Sequence, residues 1–259
     1  MPWLESAGIL LLLLATALAL PRLARYRGWG AIWILSLIML ALLGWLRRHP
    51  DWEMSPAFHW LTAGRTEYVL YGPLALLLLG LPGVQVPRRA TRLAVIALSL
   101  VVCLEYCLGP FLGPIVGAPA PAVIDPDGIC IQTDSYSCGP AASLTALHRL
   151  GIQADFMTLA RAAHTSQAIG TPPDLLCTAL EKLYPVRAIY VHLNRLEDLP
   201  PGQAVLVLQL GLFVDHYVAL LERSNHEIWI GDPMAGKVRL TRTDFESRWR
   251  HTALLIHPR

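Results

Sequence analysis

A chain of 259 residues that is 54% hydrophobic and only 15% charged is too apolar for an ordinary soluble protein; it points to a membrane protein with a soluble part. Residues 1–113 hold nine Lys/Arg and five Asp/Glu, against twelve and fourteen in 114–259. The second half is therefore near neutral and carries no basic block, which excludes nucleic acid as a partner.

Four apolar segments, 5–21, 29–46, 66–82 and 90–112, each approach the roughly 20 residues that cross a bilayer. They predict an all-α four-helix transmembrane domain over 1–113. No Lys or Arg precedes the first segment, while Arg22, Arg25 and Arg27 follow it; that reverses a secretory signal, so the helix is read as retained. The third loop carries Arg88, Arg89 and Arg92, whereas the second spreads Arg47, Arg48 and Arg65 among Asp51, Glu53 and Glu67. Positive-inside reasoning puts loops one and three in the cytoplasm and both termini outside. The expectation is a multi-pass protein of the bacterial inner membrane with an extracytoplasmic C-terminal domain and the lipid bilayer as partner. Trp29, Trp45, Trp52 and Trp60 lie near the interfaces. Glu105, near the outer end of the fourth segment, reads as reaching the interface. Cys103 and Cys107, one turn apart with no histidine beside them, read as packing residues. Residues 114–128, rich in Gly, Pro and Ala, read as a linker.

Residues 129–259 are organised around Ile131-Gln132-Thr133-Asp134-Ser135-Tyr136-Ser137-Cys138-Gly139-Pro140. Ala141, Ala142, Leu144, Leu147 and Leu150 keep one apolar stripe, so Cys138 opens a helix that Gly151 ends. A second helix is predicted from Asp155 to about Ala163, and a third from Thr171-Pro172-Pro173-Asp174 to about Tyr184. The period then becomes strand-like: 186–192, 204–210, 216–222, 227–231, 237–240 and 252–257, with a hairpin at Ser224-Asn225 and a Thr243/Glu246 capping box before the last strand. Helices followed by a mostly antiparallel sheet make an α+β domain.

A cysteine in the first turn of a helix has its thiolate favoured by the unpaired N–H groups there, which is what a nucleophile wants. Gln132, six residues upstream, offers an amide donor to an oxyanion formed at Cys138. A thiol nucleophile needs a base, and the base an orienting group. His216 and Asp232 each lie about eight residues from the Ser224-Asn225 turn, so adjacent antiparallel strands bring them to one end of the sheet. Asp215 points to the opposite face from its neighbour His216 and is the lesser orienting candidate. His148, His164, His192, His226, His251 and His257 have no partner logic. Cys130 and Cys177 are able to bridge in an exported domain.

Gln132…Cys138-Gly139-Pro140-Ala141-Ala142, Gly170-Thr171, His216-Tyr217-Val218-Ala219-Leu220, Asp232-Pro233 with Gly236, and Phe245 with Trp249 resemble the papain-like bacteriocin-processing cysteine peptidases, which cut double-glycine leader peptides beside ABC exporters. The resemblance covers about 125–258 and implies a papain-like fold, a triad of Cys138, His216 and Asp232, and Gln132 in the oxyanion hole. The chain has no Gly-Lys-Ser/Thr ATP-binding motif and too few helices for an exporter half, so the expectation is a membrane-anchored member without transporter parts. The leading reading is a cysteine peptidase acting on a peptide or protein, needing no metal or cofactor, with or without a membrane partner protein. The alternatives are a non-catalytic peptide-binding membrane module, and a thiol amidase or acyltransferase acting on cell-envelope peptides.

Overall fold

The computed structural model describes residues 2–46, 48–49, 52, 66–116, 120–167, 170–199, 203–211 and 214–259, with side chains throughout except at 2–6, 66–69 and 105–116. Arg47, Asp51, Glu53, Trp60 and Arg65, and the side chains of Glu105 and Cys107, lie outside what is described. The chain divides into two compact units, Met1–Phe111 and Leu112–Arg259.

In the first unit, helices form on each of the four apolar segments: α1 (Pro2–Leu23), α2 (Trp29–Leu46), α3 (Thr66–Val84) and α4 (Arg89–Val116). Their Leu/Ala-rich runs favour helix. α3 packs on α1 and α2. A Cβ on Gly80 would stand 2.6 Å from Leu20 Cδ1, so the glycine leaves room for the end of that side chain. Trp33 donates its indole N–H to the Leu78 carbonyl at 2.9 Å, and Gln85 its amide to Ala24 at 2.8 Å. Leu13, Leu20, Leu76 and Leu81 are fully buried, yet Leu11, Leu18, Ile34, Leu35 and Leu98 stand exposed. Inside and outside are thus equally apolar. Among the described residues one helix, Trp29–Leu46, is long and apolar enough to cross a membrane; Ala7–Leu23 and Leu70–Val84 are shorter apolar helices.

The second unit is α+β. Helices α5 (Cys138–Arg149), α6 (Phe156–Ala162) and α7 (Pro173–Leu183) precede strands β3 (Val186–His192), β4 (Gln203–Gly211), β5 (Val214–Arg223), β6 (Glu227–Asp232) and β7 (Gly236–Thr241), then α8 (Arg242–Arg248) and β8 (Trp249–Pro258). The sheet is antiparallel in the order β3-β8-β4-β5-β6-β7. β4 runs Ala204-Val205-Leu206-Val207-Leu208 without a polar residue because both its faces are covered. Val205 and Val207 meet Ala146, Leu176 and Leu180 of the helices. Leu206 and Leu208 meet Phe245 and Trp249 on the other side.

Three expectations need correction. The stretch expected to be linker contains strand β1 (Val123–Ile124), paired with β2 (Cys130–Ile131) around a turn in which Asp125 accepts the N–H groups of Asp127 and Ile129. That aspartate makes the turn, and Gly128 supplies the positive φ of +78°. The cap of α8 is Thr241, whose hydroxyl accepts the Asp244 N–H at 3.1 Å, and Thr243 lies inside the helix. β7 runs straight into α8, which moves the cap two residues upstream. The last strand is ten residues long and sits between β3 and β4.

Candidate active site

Cys138 is the first residue of α5. What fixes it there is the loop before it. Asp134 accepts the N–H groups of Tyr136 (3.0 Å) and Ser137 (2.9 Å) on one carboxyl oxygen, an Asx turn that feeds into the helix. Ser137 is the N-cap, but its side chain caps nothing. The first N–H groups of α5, that of Cys138 included, have no intrahelical acceptor. Pro140 needs no donor, and Ala141 bonds back to the Ser137 carbonyl at 3.2 Å. A Cβ on Gly139 would lie 2.9 Å from Thr171 Cβ and 3.3 Å from Leu176 Cδ2, so the glycine allows the loop before α7 to close over this turn. At the other end, Gly151 takes φ +74° and donates to His148, and Ile152 donates to Leu147, a Schellman closure.

His216 is the third residue of β5, and Asp232 is the last of β6. The ladder starts from the hairpin with Arg223 opposite Ile228 and Glu222 opposite Trp229; unbroken, it would put Asp232 opposite Ala219, on the other face from His216. A bulge between Leu220 and Glu222 shifts the register, so that Ala219 pairs with Gly231 and Asp232 comes opposite Val218. His216 and Asp232 then share a face as diagonal neighbours. His216 donates from Nε2 to Asp232 Oδ1 at 2.7 Å. The same oxygen accepts the Met234 N–H at 2.8 Å within the turn Asp232-Pro233-Met234-Ala235-Gly236, where Gly236 has φ +79°. The Pro233 carbonyl accepts the Gln132 main-chain N–H at 2.9 Å, tying the residue just after β2 to the turn of Asp232.

With Nε2 engaged by Asp232, Nδ1 is the ring nitrogen left open, and Cys138 lies near enough to the ring to bear on its charge. Burial pulls the His216 pKa down, but the bonds to Asp232 and Cys138 outweigh it and push it up to about 9. Burial likewise raises Asp232, and is outweighed by the imidazole and the Met234 N–H, which hold its carboxyl below the usual range. An imidazolium flanked by a carboxylate and a sulfur is the arrangement that makes a thiol nucleophilic and gives the leaving group a proton.

The Gln132 side chain donates to the Asp134 carbonyl at 2.7 Å, and its Oε1 is buried with no hydrogen-bond partner among the described residues. Asp215 pairs with Arg250 at 3.3 Å and leaves the orientation of His216 to Asp232. Cys130 packs with Ala141, Leu144 and Phe156, while Cys177, half-buried on α7, packs against the core; both are free thiols pushed up to about 12 by desolvation. No group of three or more His, Cys, Asp or Glu that could hold a metal ion occurs among the described residues. His251 stacks on Trp249, with ring centroids 4.7 Å apart, and takes no part in the pair described above. Asp134 carries no role in the sequence reading, although an aspartate two and three residues ahead of free N–H groups is the local signature that would have marked it.

Residues 128–259 match the model of the peptidase C39 family. An uncharacterized protein of Methanothermobacter thermautotrophicus is 29% identical over 128 residues, which are 49% of this chain and 87% of that protein. One from Methanothermobacter marburgensis is 27% identical over 125 residues, covering 48% and 84%. Among solved structures, a double-glycine motif protease from an AMS/PCAT transporter, in complex with its leader peptide, is 16% identical, covering 56% of this chain and 96% of that one, with a TM-score of 0.45. The peptidase domain of Streptococcus ComA, a bi-functional ABC transporter involved in quorum sensing, is 21% identical, covering 54% and 98%, with a TM-score of 0.46.

Proposed function

The chain belongs to the peptidase C39 family and is a cysteine peptidase; from that premise we propose that Cys138, His216, Asp232 and Gln132 carry its chemistry, on a domain anchored to the membrane by four helices. One observation carries the assignment: the 2.7 Å bond from His216 Nε2 to Asp232, which leaves the other ring nitrogen for Cys138.

The thiolate of Cys138 attacks the substrate carbonyl carbon, and the electron pair moves to the carbonyl oxygen. The Cys138 N–H and the second hydrogen of the Gln132 amide, the first being committed to Asp134, receive that charge. His216 passes its Nδ1 proton to the departing amine as the C–N bond breaks, leaving a thioester on Cys138. The neutral imidazole then takes a proton from water, the hydroxide attacks the thioester, and the acid and the thiolate separate. Asp232 keeps the ring oriented throughout and stabilises its charged form. The substrate is a peptide or protein.

A thiol-directed alkylating probe tests this reading. It should modify Cys138 faster than Cys130 or Cys177, because the thiols of those two are pushed up to about 12 whereas Cys138 lies beside the His216 ring. Peptide mapping that finds equal labelling, or labelling at Cys177 first, would overturn it.

The membrane assignment is supported by the outward-facing apolar surface of α1–α4 and by their arginines: six in loops one and three, against three in loop two. Both termini are then extracytoplasmic. A C-terminal alkaline phosphatase fusion should be active and a C-terminal green fluorescent protein fusion dark. The opposite pair would place the peptidase in the cytoplasm, beside an exporter and its leader-peptide substrate.

A further inference from the structure

We infer that Asp134 is a positioning residue for both oxyanion donors, an inference that rests on the peptidase reading above. Its main-chain carbonyl holds the Gln132 amide at 2.7 Å. Its carboxyl Oδ1 accepts the N–H groups of Tyr136 and Ser137 at 3.0 and 2.9 Å, the two immediately upstream of the nucleophile. The capping stops one residue short of Cys138. The Cys138 N–H is therefore not taken up by this carboxyl. Held where it is, it rigidifies the turn and leaves that N–H for substrate. Its second oxygen, Oδ2, is buried with no hydrogen-bond partner among the described residues, so the turn alone holds the carboxyl. The Gln132 backbone is independently anchored to the Pro233 carbonyl. The remaining freedom of its side chain is thus set by the direction of the Asp134 carbonyl, which the Asx turn fixes. One residue thereby links the two donors, which lie six positions apart in sequence.

The test compares Asp134→Ala, Asp134→Ser, Asp134→Asn, Gln132→Ala and the Gln132→Ala/Asp134→Ala double variant on a fluorogenic Gly-Gly coumarylamide peptide. Rates are counted per folded enzyme, the folded fraction being read from the thermal unfolding curve of each variant. Gln132→Ala should lower kcat by about 10²-fold, the loss of one oxyanion donor. Asp134→Ala should lower kcat by a similar factor with KM within about twofold. Asp134→Asn keeps an oxygen for both N–H groups and should retain wild-type kcat within about threefold. Asp134→Ser, whose hydroxyl does the same more weakly, should fall between them and decides the matter if the alanine variant does not fold. Residues acting as one unit are non-additive, so the double variant should lose at least tenfold less than the product of the single losses. Wild-type kcat in the alanine or serine variant overturns the inference, as does a rise in KM alone or a fully multiplicative double variant. Cys138→Ala separates this from the larger reading: if it cleaves the peptide normally the peptidase assignment falls, whereas a dead Cys138→Ala beside a normal Asp134→Ala removes only the role of Asp134.

Discussion

Cys138→Ala should leave no measurable turnover, a loss of about 10⁶-fold, with the domain still folded. The change removes the attacking atom and nothing else the chemistry uses. What remains, the oxyanion donors and the binding surface, accounts for only about 10³–10⁴ over water in comparable hydrolases. The structural cost is small, since one sulfur leaves the core cluster at the first residue of a helix whose other buried residues are untouched. The measurement is kcat/KM on the coumarylamide peptide together with the thermal unfolding midpoint. Residual activity near wild type would mean that the bond is broken by another group.

Asp232→Ala should cost about 10³–10⁴-fold in kcat/KM, because the ring of His216 loses both its orientation and the charge that stabilises imidazolium. Asp232→Asn divides these two contributions. An amide oxygen in place of Oδ1 still accepts from Nε2–H and from the Met234 N–H, so the ring stays in place while the negative charge is lost. Its kcat/KM should therefore lie between alanine and wild type. The pH profile carries the sign. In the wild type His216 is held up to about 9, so the imidazolium persists through neutral pH and the alkaline limb of kcat/KM should fall near that value. Removing the carboxylate leaves burial to pull the pKa down, and the alkaline limb should move to lower pH in Asp232→Asn. A limb that moves upward, or does not move, would show that Asp232 does not bear on the protonation of His216. Stability follows the same sign. The folded-state pKa lies above the ordinary 6.5, so the stabilisation from this pair is complete below about 6.5 and disappears as pH rises through about 9.

The four residues proposed for the site each carry a local cue in the sequence. Cys138 stood ahead of an apolar stripe of helical period, His216 began an alternating strand, Asp232 preceded a proline turn, and Gln132 lay within reach upstream. Asp134 was passed over: its carboxyl accepts the N–H groups of Tyr136 and Ser137, and such a turn leaves only a short local cue and no periodic trace. The cap of α8 was misplaced for a related reason: Thr241 and Thr243 both precede an acidic residue three positions on, and only the point where β7 stops decides between them.

Periodicity and composition by themselves determined the division into an apolar helical part and an α+β part, since hydrophobic pattern is what burial acts on. They also determined that His216 and Asp232 lie at one end of a hairpin, since strand length from a turn is countable. Which face each side chain occupies was beyond them. Counting outward from the hairpin puts Asp232 opposite Ala219 and away from His216; the one-residue shift between Leu220 and Glu222 reverses that. Nothing in Leu220-Leu221-Glu222 announces a bulge. It forms because β5 must satisfy β4 on one side and β6 on the other while both faces of the sheet are packed. That compromise among three strands exists only in the assembled sheet. It brings the carboxylate to 2.7 Å from the imidazole.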